Sequence, residues 1–346
     1  MEFKCDGKII KGLGGIYEIL LAHEDAARLA DEGVKMDGDT VFCKARGVFR
    51  HEKTTLLVGD AVRLRIDTEL MRAADADSRT GKRGAEEARG GVMIEEMLPR
   101  KNDLIRPPIA NIDIIFTVFA AAEPAPALLT VDKLVTIAEY KEIEPVIIIT
   151  KADLAPDAAE HYAEIYRKCG FTVFVVGQGI DDGALSEYIR AHADCVSVFA
   201  GASGVGKSTL MNRLFPGLGL ATGEISRKTQ RGRHTTRHVE LFPLKRLFDG
   251  DPAGCSTSFG CVADTPGFGM LDFVQFDFYT KDDLPYVFRE FEPYIGKCRY
   301  TKCTHTKEEG CALLEAAARG EIPKERHDSF LAFYEQLKNK HDWDRK

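Results

Sequence analysis

The residues best placed to do chemistry in this 346-residue chain are Gly201, Ala202, Ser203, Gly204, Val205, Gly206, Lys207, Ser208 and Thr209. They match G-x-x-x-x-G-K-[ST] and stand between an apolar run and a helical pattern through Leu210, Met211 and Leu214. Glycines at these positions let backbone N–H groups curl around phosphate oxygens, and the helix start adds partial positive charge. Lys207 is expected to reach the β and γ oxygens of a nucleotide, and the Ser208 hydroxyl to join a Mg²⁺ shell. The pattern implies nucleotide binding.

A second stretch, Thr150-Lys151-Ala152-Asp153, ends an apolar run, where open α/β sheets bind ligands. A carboxylate at Asp153 accepts from the ring N–H and exocyclic amine of guanine, a donor pair adenine lacks. By itself Asp153 also reads as a helix cap; beside a phosphate loop, guanine is the stronger reading. The third stretch, Asp264-Thr265-Pro266-Gly267, follows another apolar run, with Asp264 expected to hold Mg²⁺ through water and Gly267 to face the γ-phosphate. Between the loop and this motif lies a basic segment, Gly219–Arg237, containing His234-Thr235-Thr236. One of the two threonines is expected to join the Mg²⁺ shell when a γ-phosphate holds the segment, with Thr236 preferred over Thr235. Phe268 stands where many such enzymes place a glutamine that orients the attacking water. Slow intrinsic hydrolysis is therefore expected, with His234 the candidate to orient water once a partner orders its segment.

A different chemistry is written near the C-terminus. Cys298, Cys303, His305 and Cys311 are spaced C-x₄-C-x-H-x₅-C. Three thiolates and an imidazole suit one closed, structural Zn²⁺ site. Lys297, Arg299, Lys302 and Lys307 make the segment too polar for a core and give it a basic face for RNA phosphates.

The elements that must position these residues follow from the pattern of apolar residues. Residues 1–66 read as short β segments (Ile16–Leu21, Thr40–Val48, Thr55–Ile66), and Gly91–Leu98 resumes a strand. Five short strands in about a hundred residues suggest an OB-fold barrel. Residues 67–91 show no apolar periodicity and are expected to form a mobile, solvated loop. From residue 112 strands and helices alternate: strands at 112–120, 146–150, 172–176 and 195–200, helices at 128–140, 157–169 and 183–192. That rhythm means a parallel sheet covered on both faces. Residues 237–244 and 259–263 read as further strands separated by a surface insert, 245–258, and Cys311–Ala318 and Ser329–Asn339 as closing helices. The expected organisation is a barrel over 1–98, an α/β phosphate-loop domain over 99–275 and a helical zinc-binding domain over 276–346. Apolar and charged fractions of 44% and 29% are ordinary for a soluble protein. No apolar leader or run of about eighteen apolar residues is present. Nine cysteines, an odd number, point to a reducing cytoplasm and not to a disulfide framework. A net charge of −7 confines any RNA binding to local basic patches.

The order of the motifs is itself informative. Ordinary GTPases run phosphate loop, switch threonine, Asp-x-x-Gly, then guanine motif; here the guanine motif comes first. With a barrel in front and a cysteine cluster behind, the chain resembles the ribosome small-subunit-dependent GTPase A family (RsgA, YjeQ/YloQ type). Arg100-Lys101-Asn102, Arg106-Pro107, Asn111-Ile112-Asp113 and Gly232-Arg233-His234-Thr235-Thr236 share in the resemblance. It implies a circularly permuted GTPase domain and a cytoplasmic, monomeric enzyme without a membrane. It further implies GTP/GDP with Mg²⁺ and one Zn²⁺ as ligands, and the small ribosomal subunit and its rRNA as partner, in late subunit maturation. Thr150 stands where the family usually has Asn, and Gly177-Gln178-Gly179 where it usually has a Ser-Ala-type loop. Two other classes compete: a zinc and barrel RNA-binding scaffold with a regulatory nucleotide, and a P-loop ATPase or kinase, which Asp153 disfavours.

Overall fold

Residues 61–67, Ala-Val-Arg-Leu-Arg-Ile-Asp, alternate apolar and charged side chains, and period-two alternation buries one face of a strand. The computed structural model describes residues 2–36, 38–45, 55–77, 91–105, 107–220, 239–248, 259–264 and 279–338. In it Val62, Leu64 and Ile66 are fully buried, while Arg63 and Arg65 lie on the outer face against Asp6 and Glu2. This strand, β4 (Ala61–Asp67), belongs to a closed barrel with β1 (Glu2–Leu13), β2 (Ile16–Leu21), β3 (Thr40–Ala45) and β5 (Val92–Met97). The order around it is β1-β2-β3-β5-β4, an OB-type arrangement, with β3 and β5 parallel. Closure leaves no free edge. Ile9, Ile19, Val41, Leu64 and Ile94 fill the interior.

Three sequence expectations are corrected here. Helix α1 (His23–Asp31) separates β2 from β3 and buries Ala26 and Leu29 in the barrel core, an element absent from the all-strand reading. The stretch 67–91 is not all loop, because helix α2 (Thr68–Asp77) follows β4 directly. Asp67 caps it by accepting from the N–H groups of Glu69 and Leu70, and among the described side chains the buried Thr68 and Met71 anchor it, Met71 being the apolar one. One apolar anchor is too few to register as helical periodicity. The strand expected over 55–66 starts only at Ala61, since Asp60 turns the chain by accepting from the Leu57 N–H.

The junction after the barrel is built from polar ties. Both oxygens of the buried Asp60 accept from Arg100, at 2.6 and 2.8 Å. The Asn102 amide bonds both backbone groups of Ile112, and Asn111 donates to the Gly59 carbonyl. Asp113 accepts from the Val196 N–H and pairs with Lys101. These family-resembling residues therefore hold backbone to backbone, alongside the short hairpin β6 (Asp103–Ile105) and β7 (Pro108–Ala110).

Beyond the junction come β8 (Ile114–Ala120), α3 (Leu128–Tyr140), β9 (Glu144–Thr150), α4 (Pro156–Lys168), β10 (Thr172–Val175), α5 (Gly183–Ala191), β11 (Val196–Ala200) and α6 (Lys207–Leu214). All seven residues of β8 are buried, the mark of a strand covered on both faces. β8, β9 and β10 pair in parallel, and the sheet order is β10-β9-β8-β11-β13-β12. β12 (Phe242–Pro243) and β13 (Cys261–Asp264) are short and antiparallel. Leu244, expected to end a strand, instead starts the single turn α7 (Leu244–Leu247), with Pro243, the last residue paired in β12, standing at its N-cap.

The C-terminal region packs two 3₁₀ segments, Leu284–Val287 and Arg289–Tyr294, with α8 (Ala312–Ala318) and α9 (Lys324–Leu337). Phe288, Phe291, Phe330 and Phe333 stack between them. Beneath these rings Arg326 is wholly buried and bonds Asp132 of α3 and Glu290, each at 2.7 Å. Tyr166 donates to the same Asp132 oxygen. By contacts the chain forms two compact units, Met1–Asp113 with Glu187–Val198 and Met211–Thr265, and Ile114–Ser186 with Phe199–Leu210 and Pro266–Lys346. Among the described residues no helix is long and apolar enough to cross a membrane.

Candidate functional site

Within the second unit, the C-terminal ends of β9 and β11 carry the two sequence motifs. After Ala200 the chain turns under Gly201, where a Cβ would stand 2.0 Å from the Val118 carbonyl oxygen. Only glycine lets β11 run this close to β8 before the loop departs. Gly204 and Gly206 have φ of +82° and +95°, which arch residues 202–206 over the start of α6. Val205 is buried beneath the arch, while Ser203, Gly204 and Thr209 are exposed and Ala202 and Ser208 half-buried. Lys207 curls over the loop and donates to the carbonyls of Gly201 and Ala202, at 2.9 and 3.0 Å. Its ammonium is thereby held at the mouth of a backbone cradle, with Ser208 and Thr209 in the first turn of the helix.

The second motif reaches the same place. The Thr150 hydroxyl bonds the Val205 carbonyl inside the loop, joining residues 55 apart in sequence. Lys151 adopts φ +55° and donates to the Glu123 carbonyl, Ala152 is buried, and Asp153 is exposed. One Asp153 oxygen accepts from the Gln178 N–H at 2.9 Å. A Cβ on Gly177 would lie 2.5 Å from that oxygen, so the departure from the family's Ser-Ala loop is what lets the backbone close on the carboxylate. An apolar cavity of about 230 Å³ adjoins the loop, lined by Phe119, Pro124, Pro126, Val131, Leu134 and Val205.

Asp264 ends β13 and is half-buried. His234, Thr235, Thr236 and Gly267, together with Phe268, lie outside the described residues.

The Cys/His cluster forms as its spacing predicts. Cys298 Sγ and Cys311 Sγ each lie 3.5 Å from His305 Nδ1 and 3.8 Å from one another, and all four ligand atoms fall within 4.8 Å. A tetrahedral centre with metal–sulfur and metal–nitrogen bonds near 2.3 and 2.05 Å has edges of about 3.8 and about 3.6 Å. The cluster can therefore hold a metal ion with little rearrangement. Burial holds His305 below its usual range, so its imidazole stays neutral and able to ligate. Burial, reinforced by the neighbouring thiols, raises Cys303, so binding a cation must expel protons. The ligand loop is shaped by Glu308, whose carboxylate accepts from the Thr304 hydroxyl and from the N–H groups of Thr304, Thr306 and Lys307. Burial opposes its ionisation, but these donors outweigh it and hold the carboxyl down at about 2.

Sequence reasoning missed Glu308 and the buried Arg326–Asp132–Glu290 set. The first had no pattern beyond an acid amid cations. The second joins residues 194 apart in sequence, a pairing no local pattern announces.

A phosphate loop and an Asp-ended base motif at the C-terminal ends of β11 and β9, which flank β8 in one sheet, in reversed chain order and behind an OB-type barrel, define a circularly permuted P-loop GTPase. A family model described as RsgA GTPase matches residues 97–274, and one described as RsgA N-terminal domain matches residues 33–71. The small ribosomal subunit biogenesis GTPase RsgA of Bacillus subtilis is 36% identical over 97% of this chain and 98% of its own. Two solved structures align over 98% of the chain. YloQ, described as a circularly permuted GTPase, has TM-score 0.69 and 31% identity over 96% of its own chain. YjeQ from Thermotoga maritima has TM-score 0.70 and 26% identity over 100% of its own. The chain belongs to the RsgA GTPase family.

Proposed function

We propose that this GTPase hydrolyses GTP during late maturation of the small ribosomal subunit, binding the subunit's rRNA and being stimulated by it, as a cytoplasmic monomer. The observation that carries the guanine-nucleotide reading is the junction of the two motifs: Thr150 meets Val205, so the carboxylate of Asp153 and the cradle of residues 201–209 belong to one ligand-sized site. The subunit as partner rests on the naming of the relatives, the B. subtilis protein among them.

In this reading residues 150–153 hold the base, with Asp153 accepting from the ring N–H and amine of guanine. Gly201, Ala202, Ser203, Gly204, Val205 and Gly206 present N–H groups to the phosphates, and Lys207 pairs with the β and γ oxygens. The oxygen donors Ser208, Asp264 and either Thr235 or Thr236 suit Mg²⁺, which would neutralise charge on the phosphate oxygens. Gly267 faces the γ-phosphate, and His234 orients the attacking water in place of the glutamine that Phe268 replaces. Cys298, Cys303, His305 and Cys311 hold one structural Zn²⁺, a reading supported by the spacing of Cys298, His305 and Cys311, which is close to the edges of such a site. The domains divide at about 98 and 275, with the barrel and the basic zinc module as the RNA-facing parts.

The test is the GTPase rate with and without purified small ribosomal subunits, with Lys207→Ala as blank. We expect a slow intrinsic rate raised at least about tenfold by subunits, and a His234→Ala variant that binds GDP normally but gains nothing from them. Equal rates with and without subunits overturn the partner assignment, and full stimulation of His234→Ala overturns the role of His234.

A further inference from the structure

Between the cluster ligands Cys298 and Cys303 stand Arg299, Tyr300, Thr301 and Lys302, and all four are exposed. The ligand atoms of the two cysteines lie within 4.8 Å of each other, so these residues form a short finger closed at its base. Arg299 fixes one side of the finger. Its N–H donates to the Gly310 carbonyl at 2.9 Å, and its side-chain stem packs over Gly310, where an added Cβ would meet it at 3.0 Å. The guanidinium then stands over the ring of Tyr300, 5.6 Å from the centroid, yet Tyr300 keeps 50% of its surface exposed. A single exposed ring is ordinary on a protein surface, and what distinguishes this one is the charge around it. Lys297, Arg299, Lys302 and Lys307 make no ion pair among the described residues, whereas Arg289, Arg319, Lys324 and Arg326 of the same C-terminal region all do. No acid occurs from Lys297 to Lys307, and the carboxylate of Glu308 is taken up by the loop's own donors.

An open ring beside unpaired cations is the combination by which proteins hold single-stranded nucleic acid: every base has a face that stacks, and the cations meet the phosphates. We propose that Tyr300 is a stacking platform for an unpaired base of RNA, with Arg299 and Lys302 on the flanking phosphates. The proposal rests on the reading of the zinc module as RNA-facing and deepens it by naming what the module recognises, a base free of its helix. In an A-form duplex the base faces are stacked on one another, so the ring has nothing to take. The cluster adds preorganisation. With both ends of the finger held by ligands of one site, little freedom is lost when a base settles on the ring.

The test is binding of the Zn²⁺-loaded, full-length protein to a fluorescent single-stranded RNA of about twelve nucleotides and to a duplex of the same length, read by anisotropy at several salt concentrations. Stacking on one aromatic residue is worth about fivefold to a hundredfold in affinity. We expect Tyr300→Ala to weaken the single strand by a factor in that range, to leave the duplex within about twofold, and to keep the slope of log K against log salt. Lys302→Ala should instead weaken both RNAs and make that slope shallower by about one. Tyr300→Phe, which keeps the ring, should bind as the wild type does. Metal content and GDP affinity report the fold of each variant, and Tyr300→Leu is read in the same way if the alanine variant loses its metal. Equal weakening of strand and duplex by Tyr300→Ala, unchanged single-strand binding, or loss of binding in Tyr300→Phe overturns the proposal. Competition by polyglutamate as strong as by unlabelled single strand of equal charge overturns it in favour of an acidic protein. Wild-type protein that binds neither RNA would instead overturn the RNA-facing reading beneath it.

Discussion

The phosphate loop and the Cys/His cluster are both small, tight sites of the second unit, yet they are made from opposite parts of the amino acid. In the proposed site the loop works through backbone N–H donors, and side chains matter by their absence: Gly201 has no room for a Cβ beside Val118. In the cluster the working groups are the side-chain atoms of Cys298, Cys303, His305 and Cys311, and the backbone matters only because Glu308 folds it. The loop should therefore accept many changes at its exposed Ser203 and none at Gly201. The cluster should accept none at its four ligands and many at the exposed residues between them. Burial teaches the same contrast. The loop is left open to a ligand that comes and goes, whereas Cys311 and His305 are enclosed, as suits an ion that stays.

The most severe break of this comparison is Cys303→Ser. Structural Zn²⁺ in small modules contributes on the order of 10 kcal/mol, so losing one thiolate should empty the site and release the fold around it. Metal content should fall from one equivalent to nearly none, with hydrogen exchange rising across residues 297–312, while GDP affinity changes less than about threefold. A parallel loss of GDP affinity would show that the two sites are not independent.

Gly201→Ala should do the converse at a smaller scale. Forcing a methyl group to within 2.0 Å of a carbonyl oxygen displaces either β8 or the loop. Overpacking of this kind costs about 1–3 kcal/mol, which predicts a loss of roughly tenfold to a hundredfold in GDP affinity by calorimetry. Metal content should stay at one equivalent.

The smallest effect sharpens the cluster side. The folded-state pKa of Glu308 is depressed to about 2, below the ordinary value near 4.3. Whatever stabilisation it contributes is present above the ordinary value and is lost as pH falls toward the folded one. The carboxyl carbon shift of Glu308 should therefore titrate with a midpoint close to 2, and Glu308→Gln should abolish the step with only a slight loss of thermal stability. A midpoint near 4.3 would mean that the Thr304 and Lys307 donors do not hold the carboxylate.

The parts legible in the sequence share a physical basis. Alternation in 61–67 and runs in 114–120 and 196–200 that are apolar but for Thr117 and Ser197 announce strands, because burial on one face or both selects side chains at fixed spacing. Leu128–Tyr140 is helical over the residues its periodicity predicts. Local patterns are silent where few contacts hold an element: α2 stands on Met71 and the Asp67 cap, and the one-turn α7 follows directly on Pro243. The candidate sites follow the same rule. The phosphate loop and the cysteine cluster are contiguous, so spacing alone reveals them, but Glu308 is one acid among many until its donors are seen.

By itself, then, the sequence determined that this chain has a phosphate loop, an Asp-ended base motif ahead of it and a four-ligand cluster behind. Each of these is encoded in residues that are neighbours along the chain. Tertiary structure alone decided that Thr150 lies under Val205, that Gln178 secures Asp153, and that Arg326 sits buried between Asp132 and Glu290. Those pairings span 25 to 194 residues. What brings them together is the order of strands in the sheet and the packing of helices across it, since hydrogen bonds and buried charges form only where the folded chain carries their partners.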